Sequence, residues 1–176
     1  MNGTIKTLLE RRSVRSYRPD AVEEEKLRAI LEAGLYAPSA MGRQSVTLVA
    51  VEDRETRDAL ERANAAIQGD RAGKPFYGAP VAVAVLADPE ATNAVNGQKD
   101  GALALGTMMN AAWSLGVASC WINRAQEFFA SEEGKALLRK WGLPERLEGV
   151  GFCILGYAAK DPAPAALRRE GRVVRV

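Results

Sequence analysis

The chain has 176 residues, with 24 Lys and Arg against 22 Asp and Glu and a formal net charge of +2. This length suits one domain with a sizeable core, and the near balance of charge gives no general field that would capture nucleic acid. The absence of histidine excludes Ser-His-Asp and Cys-His catalysis and every histidine-ligated metal site. Cys120 and Cys153 are too few for a disulfide scaffold, and residues 1–4 lack the apolar stretch of a signal peptide. We therefore expect a cytoplasmic protein.

The first half of the chain alternates helical and extended patterns. Apolar residues at positions 5, 8 and 9 predict a first helix that ends at a cluster of arginines. Asp20 and Glu23 resemble a capping box, and apolar residues at helical spacing predict a second helix that stops before Pro38. Three elements follow in chain order: a strand over 46–51, a polar helix over 55–67 and a loop over 69–78.

The second half contains the most apolar segments. Residues 80–86 are apolar throughout, which is typical of a central strand buried on both faces. The run 101–122 is uncharged and about as long as a membrane span, but its glycine, asparagine and serine residues favour a buried helix that ends at Gly116. Four elements complete the chain: a strand over 119–122, a helix capped by Ser131 that runs to Trp141, a strand over 150–156 and a C-terminal strand at 173–174. The predicted architecture is one α+β domain, residues 1–176, with a sheet wrapped by helices.

Four arginines within eight residues form what we call the arginine cluster: Arg11, Arg12, Arg15 and Arg18. Guanidinium groups donate in a fixed fork that suits phosphate oxygens, and Ser13 adds a hydroxyl donor. Because so many like charges repel unless an anion neutralises them, the cluster suggests a bound phosphate. The alternative is a solvated helix C-terminus, where the helix dipole favours cations, and the cluster alone does not separate the two.

Other segments have plain structural explanations. The small residues of 38–44 would let a ligand approach the backbone, with Ser39 and Gln44 as hydrogen-bonding groups, yet the segment by itself favours a helix-terminating loop. Cys120 lies in an apolar strand without a histidine partner, which favours an inert buried thiol over a nucleophile. The Gly-x-Gly at 149–151 lacks the third glycine of a dinucleotide fingerprint.

The order of the motifs is more specific than any one of them. In sequence come Arg11-Arg12-Ser13-Val14-Arg15-Ser16-Tyr17, then Ala37-Pro38-Ser39-Ala40 with Gln44, then Phe76-Tyr77-Gly78-Ala79-Pro80, then 114–122, then a basic tail. Over nearly the whole chain this order resembles the nitroreductase family of flavin enzymes, in particular its short, compact branch. The resemblance implies a homodimer with a central, mostly antiparallel sheet and one FMN in each of two sites at the subunit interface. The tail, about residues 161–176, would embrace the partner subunit.

The resemblance also implies which residues bind the cofactor. Those expected at the phosphate, the ribityl chain and the polar edge of the flavin ring are Arg11, Arg12, Ser13 and Arg15. Those expected from the other subunit are Pro38, Ser39, Ala40 and Met41, followed by Gln44. Those expected beside the isoalloxazine are Cys120, Trp121 and Ile122, and those expected to reach the phosphate from the tail are Arg168 and Arg169. Two departures stand out: Gly42 replaces a usual asparagine, and Ser45-Val46 replaces a frequent Pro-Trp.

The activity that the resemblance implies needs no catalytic side chain and no metal, because hydride moves to and from flavin N5. Arg15 is the candidate charge near N1 and O2. NADH or NADPH would reduce the flavin, and nitroaromatics, quinones or similar electron-poor acceptors would reoxidise it by a ping-pong mechanism. Two other classes stay open: a flavin-binding redox sensor or store without turnover, and a phosphate- or nucleic-acid-binding module that uses the arginine cluster directly. We expect neither a nucleic acid nor a membrane as partner.

Overall fold

A computed structural model describes residues 1–176. Its strands are β1 Val46–Val51, β2 Val81–Ala87, β3 Ala118–Ile122 and β4 Glu148–Gly156. Its helices are α1 Gly3–Glu10, α2 Glu24–Leu35, α3 Arg54–Gln68, α4 Ala94–Ser114, α5 Ala125–Ala130 and α6 Glu132–Lys140, with a short 3-10 turn at Ala40–Gly42. The strands form one sheet in the order β1-β2-β4-β3, and every neighbouring pair is antiparallel. The predicted α+β class with an antiparallel sheet is confirmed.

Strand β2 is the centre of the molecule. All seven of its residues are buried, because successive side chains point to opposite faces of the sheet and both faces are covered. On one face Ala82, Ala84 and Leu86 join a core with Phe76 and Phe129. On the other face the three valines of β2 pack against residues of α4, among them Leu105 and Met108. The two-sided burial predicted from continuous apolar sequence is confirmed.

Helix α4 is the long apolar helix that the sequence predicts, but it starts earlier. It begins at Ala94 after Asn93, whose side chain accepts from the backbone N–H of Asn96 at 2.9 Å, and it ends just before Gly116 at φ 72°. Gly101 lies so close to β4 that an added Cβ would stand 2.5 Å from Val150 Cγ2. None of the helices has both the length and the apolar content that a membrane crossing needs.

Two expectations from the sequence are wrong. The capping box does not form: α2 begins at Glu24, Glu23 makes no side-chain cap, and the Asp20 carboxylate pairs with Arg18 at 3.1 Å instead. The strand at 173–174 is also absent. Val173 and Val174 are 85% and 78% exposed, and an extended segment without a neighbouring strand has nothing to pair its backbone groups.

Candidate cofactor site

The arginine cluster lies against the edge of the sheet. After α1 the chain runs beside β3, where the Val14 N–H donates to the Ser119 carbonyl at 3.0 Å and Ser13 forms a parallel bridge with Ser119. The buried Tyr17 hydroxyl donates to the Val14 carbonyl at 2.9 Å, and its burial raises the pKa of this phenol, which stays protonated. Two motifs far apart in sequence, the arginine cluster and the strand that contains Cys120, therefore meet at one edge.

Arg11 carries the clearest sign of an unmet interaction. Its Nη1 atom is buried and has no hydrogen-bond partner, and the buried Ser119 hydroxyl at the same junction also has none. Buried donors in native proteins are nearly always paired, and an unpaired one costs free energy. An acceptor on a bound molecule, above all an anionic one, would satisfy this guanidinium.

The other members of the arginine cluster differ in their partners. Arg12 folds back to donate from Nη1 to the carbonyls of Leu9 at 2.9 Å and Arg11 at 2.6 Å. Arg18 pairs with Asp20 and covers the Tyr157 ring at 5.4 Å. Arg15 makes no ion pair or side-chain hydrogen bond and is exposed. Arg11 and Arg15 are thus the two members of the cluster whose guanidinium groups have no protein acceptor, and of these two only Arg15 is exposed.

The edge strand β3 contributes mostly buried side chains rather than a nucleophile. Cys120 is buried, and its burial raises the pKa of the thiol, although the nearby charges of Arg15 and Arg11 and a contact with Ser13 oppose the rise. The interpretation of Cys120 as an inert thiol agrees with this environment. Trp121 is half-buried, its Nε1 has no partner, and Ile122 is buried.

A cavity of about 490 Å³ opens beside the arginine cluster, between residues 12–16 on one side and residues 160–164 on the other, and Arg11 is not among its lining residues. The 38–44 loop borders a different, smaller cavity of about 120 Å³, which shares no lining residue with the first. Within one protomer, therefore, the predicted site residues form two separate groups.

The 38–44 loop has an unusual backbone. Met41, Gly42 and Gln44 all have positive φ, at 53°, 66° and 50°, a region in which residues other than glycine are uncommon and tend to mark ligand sites. The Gln44 N–H donates to Ser39 Oγ at 2.9 Å, and Met41 is 87% exposed. The loop thus holds a fixed, strained shape at the surface.

Two polar residues beneath this loop were missed by sequence reasoning. Asp100 on α4 is only 4% exposed. Its Oδ1 accepts from the Ala40 N–H at 2.9 Å, and its Oδ2 accepts from the buried Ser45 hydroxyl at 2.8 Å. The sequence feature that could have pointed to Asp100 is its carboxylate, which stands directly before the uncharged run that starts at Gly101.

The comparison with protein families decides the kinship of the chain. Residues 8–157 match the model of the nitroreductase family. The chain belongs to the nitroreductase family. Its relatives include the FMN reductase [NAD(P)H] of Bacillus subtilis, 36% identical over 176 residues that cover 93% of this chain and 69% of that protein.

Two solved nitroreductases with bound FMN have the same fold. The structure from Bacteroides fragilis has a TM-score of 0.90 and 31% identity, and the match covers 100% of both chains. The structure from Desulfitobacterium hafniense has a TM-score of 0.89 and 28% identity, and the match covers 100% of this chain and 99% of the other.

Two further motifs of the chain, the tail arginines and residues 76–80, form no side-chain hydrogen bond or ion pair with the arginine cluster. Arg168 donates from Nε and Nη2 to its near neighbour Ala166, at 3.2 Å and 2.6 Å, and Arg169 is exposed without a partner. Neither tail arginine bonds to the cluster of its own protomer. The motif at 76–80 contributes to the core, since the Phe76 and Phe152 ring centroids are 5.4 Å apart.

Proposed function

We propose that this nitroreductase is an FMN-dependent oxidoreductase that uses NADH or NADPH to reduce nitroaromatics, quinones or similar electron-poor acceptors. The observation that carries the proposal is the buried Arg11 Nη1 without an acceptor, in a chain whose relatives include an FMN reductase [NAD(P)H] and nitroreductases with bound FMN. A cofactor with an anionic phosphate and polar ring atoms provides acceptors of the missing kind.

The donors at the arginine cluster fit FMN. Arg11 and Arg15 have no protein acceptor, and the exposed Ser13 lies between them, so the three can hold one phosphate and the polar groups near it. Arg12 stays bonded to backbone carbonyls and lines the same cavity as Ser13 and Arg15, so it adds positive charge there. The absence of a dinucleotide fingerprint favours FMN over FAD.

FMN, when bound, supplies the hydride-accepting ring, so the protein contributes binding, orientation and electrostatics. Arg15 holds a positive charge that no carboxylate neutralises, which suits a reduced ring that carries negative charge. Cys120 remains a neutral, buried thiol at neutral pH because burial raises the pKa of its thiol. No side-chain nucleophile or metal takes part in this scheme.

A homodimer completes the proposed site. Helix α1 has no buried residue, and its apolar side chains Ile5, Leu8 and Leu9 are 44%, 49% and 60% exposed. A helix this short is not stable without packing, so we expect a second copy of the chain to pack against its apolar side chains. In such a dimer the 38–44 loop of one subunit would join the arginine cluster of the other. The exposed tail, about residues 161–176, would embrace the partner and bring Arg168 and Arg169 to the phosphate.

A ping-pong mechanism follows if one open flavin face serves donor and acceptor in turn. A charge of +2 supports neither nucleic-acid nor membrane binding, and the cytoplasmic location stays a prediction.

The test begins with the cofactor. The flavin of the protein as purified is released by heating and identified by chromatography, and protein that carries none is first incubated with FMN and washed. We expect one FMN per subunit, whereas stoichiometric FAD in the purified protein, or no flavin after incubation, contradicts the proposal. NADH and NADPH are then mixed anaerobically with the loaded protein. Bleaching of the flavin within seconds supports an enzyme, and its absence favours a flavin store or sensor. Steady-state rates with a panel of quinones and nitro compounds should give parallel double-reciprocal lines. Intersecting lines would contradict the proposal that donor and acceptor use the same flavin face in turn.

A further inference from the structure

Asp100 connects the two ends of the 38–44 loop to α4. One carboxylate oxygen accepts from the backbone of Ala40, near the start of the loop, and the other accepts from the hydroxyl of Ser45, just after its end. Both distances, 2.9 Å and 2.8 Å, are those of good hydrogen bonds. The Asp100 side chain thus holds Ala40 and Ser45 at a fixed distance from each other and attaches both to α4.

The loop needs this support because its backbone is strained. Met41 and Gln44 have positive φ without being glycine, and such conformations persist only where the surroundings hold them. The bonds from Gln44 N–H to Ser39 Oγ and from Gly42 N–H to Ser39 O are internal to the loop. They shape it but do not attach it to the rest of the protein.

Few other bonds attach the loop. Arg43 Nη1 donates to the Ala91 carbonyl at 3.1 Å on the exposed surface, and the Asp88 N–H donates to the Ser45 carbonyl at 2.8 Å. Asp100 is the one buried side chain that bonds to the loop itself. The cavity of about 120 Å³ bordered by Ser39, Gln44 and Asp100 leaves room for the loop to sink if the carboxylate is removed.

The burial of Asp100 has no explanation in packing alone. It forms no ion pair, and a carboxylate buried without a cation is costly unless its oxygens accept strong hydrogen bonds. A neutral residue would suit the apolar interior of α4 better. What the carboxylate provides is a pair of charge-assisted bonds to both ends of one loop.

We propose that Asp100 is a positioning residue for cofactor binding, which holds the 38–44 loop in the shape that receives the flavin bound at the arginine cluster of the partner subunit. This inference rests on the proposed function. Asp100 itself does not touch the cofactor. It acts by removing the cost of ordering the loop on binding, which is how preorganisation raises affinity.

The test compares Asp100→Ala, Asp100→Asn and Ser45→Ala with a matched control, Gln98→Ala. Gln98 lies on the same helix and donates from Nε2 to the Gly149 carbonyl at 3.1 Å, so its loss removes a comparable tertiary bond away from the loop. Two quantities are measured on the flavin-free protein: the Kd for FMN by quenching of flavin fluorescence, and the rate at which trypsin cleaves after Arg43, followed by mass spectrometry. Thermal unfolding reports the stability of each variant.

We expect Asp100→Ala to weaken FMN binding by roughly tenfold or more and to speed cleavage after Arg43. Asp100→Asn should recover most of both losses, because its Oδ1 still accepts from Ala40 and its amide can donate to Ser45 Oγ. Ser45→Ala should have a smaller effect of the same sign. Gln98→Ala should lower the thermal stability yet leave the Kd and the cleavage rate unchanged.

Wild-type affinity and wild-type cleavage in Asp100→Ala would overturn the inference, as would an equal loss of affinity in Gln98→Ala. If Asp100→Ala does not fold, Ser45→Ala decides, since unchanged FMN binding and cleavage in that variant contradict the role. Failure of the wild-type protein to bind FMN would instead refute the proposed function, and the cleavage rates would then decide whether Asp100 anchors the loop.

Discussion

The backbone N–H of Val14 donates to the carbonyl oxygen of Ser119 at 3.0 Å, and this bond sets the arginine cluster against the edge of the sheet. Because alternate residues of an extended segment point in opposite directions, the burial of Val14 leaves Ser13 and Arg15 on the exposed side. Ser13 and Arg15 therefore face outward along the edge of β3 that does not pair with β4.

Loss of Arg11 or Arg15 should weaken FMN binding more than loss of Arg18. A hydrogen bond to a charged group contributes about 1.5–3 kcal/mol, or roughly ten- to a hundredfold in Kd, whereas Arg18 is engaged with Asp20 at the surface. The Kd of Arg11→Ala, Arg15→Ala and the control Arg18→Ala is measured by flavin fluorescence. Equal losses of affinity in all three variants would mean that the cluster attracts FMN only through its summed positive charge and not through specific hydrogen bonds.

Substitution of Leu9 by Asp should disrupt the dimer. Leu9 is 60% exposed on α1, the helix without buried residues, and a carboxylate placed in an apolar interface is costly. Light scattering should then give the mass of a monomer, with weaker FMN binding. Ile67, 38% exposed on α3, provides the control, since Ile67→Asp adds the same charge on a helix outside the proposed interface and should leave the dimer intact. A dimer that survives Leu9→Asp would place the interface elsewhere.

Asp88 should support stability at neutral pH but not in acid. Arg146 donates to its two oxygens at 3.0 Å and 2.8 Å, and this bond is the main reason why the pKa of Asp88 lies below the ordinary 3.8. A lowered folded-state pKa gives stability that is present above the unfolded-state value and is lost as the pH falls through the folded one.

The free energy of unfolding of wild type and Asp88→Asn should therefore differ at pH 7 and converge below about pH 3.8. Urea titrations at several pH values measure the difference. Asp58→Asn is the control, because its pairs with Arg54 at 3.6 Å and Arg57 at 3.9 Å are longer than the Asp88 bonds and its carboxylate is partly exposed, so we expect a small contribution at either pH. A difference for Asp88→Asn that stays constant into acid would contradict the assignment.

Both thiols should resist modification in the folded protein. Burial raises the pKa of Cys153 to about 12 and raises that of Cys120, while thiolate is the reactive form. A disulfide reagent at pH 8 should label neither cysteine in native protein and both in urea. Rapid labelling of Cys120 in the native protein would show that the edge of β3 opens.

Sequence patterns alone predicted the strands and helices whose residues are buried without interruption. The apolar run of β2 predicts a strand covered on both faces, and the uncharged run that starts at Gly101 predicts the buried part of α4. They failed where polar residues interrupt the pattern: the first turns of α4 are too polar for an apolar run to mark them. Asp20 matched a capping box but pairs with Arg18, because local spacing does not say which partner a carboxylate meets.

The sequence by itself determined the kinship, the class of fold and the position of the donors, because motif order and apolar periodicity are properties of the chain. Only the tertiary structure separated Arg11, with its buried unpaired nitrogen, from Arg12, whose guanidinium bonds to nearby carbonyls. Only the tertiary structure, likewise, placed Asp100 beneath Ala40 and Ser45. Pairing between distant residues depends on how helices and strands pack, and no local pattern encodes that arrangement.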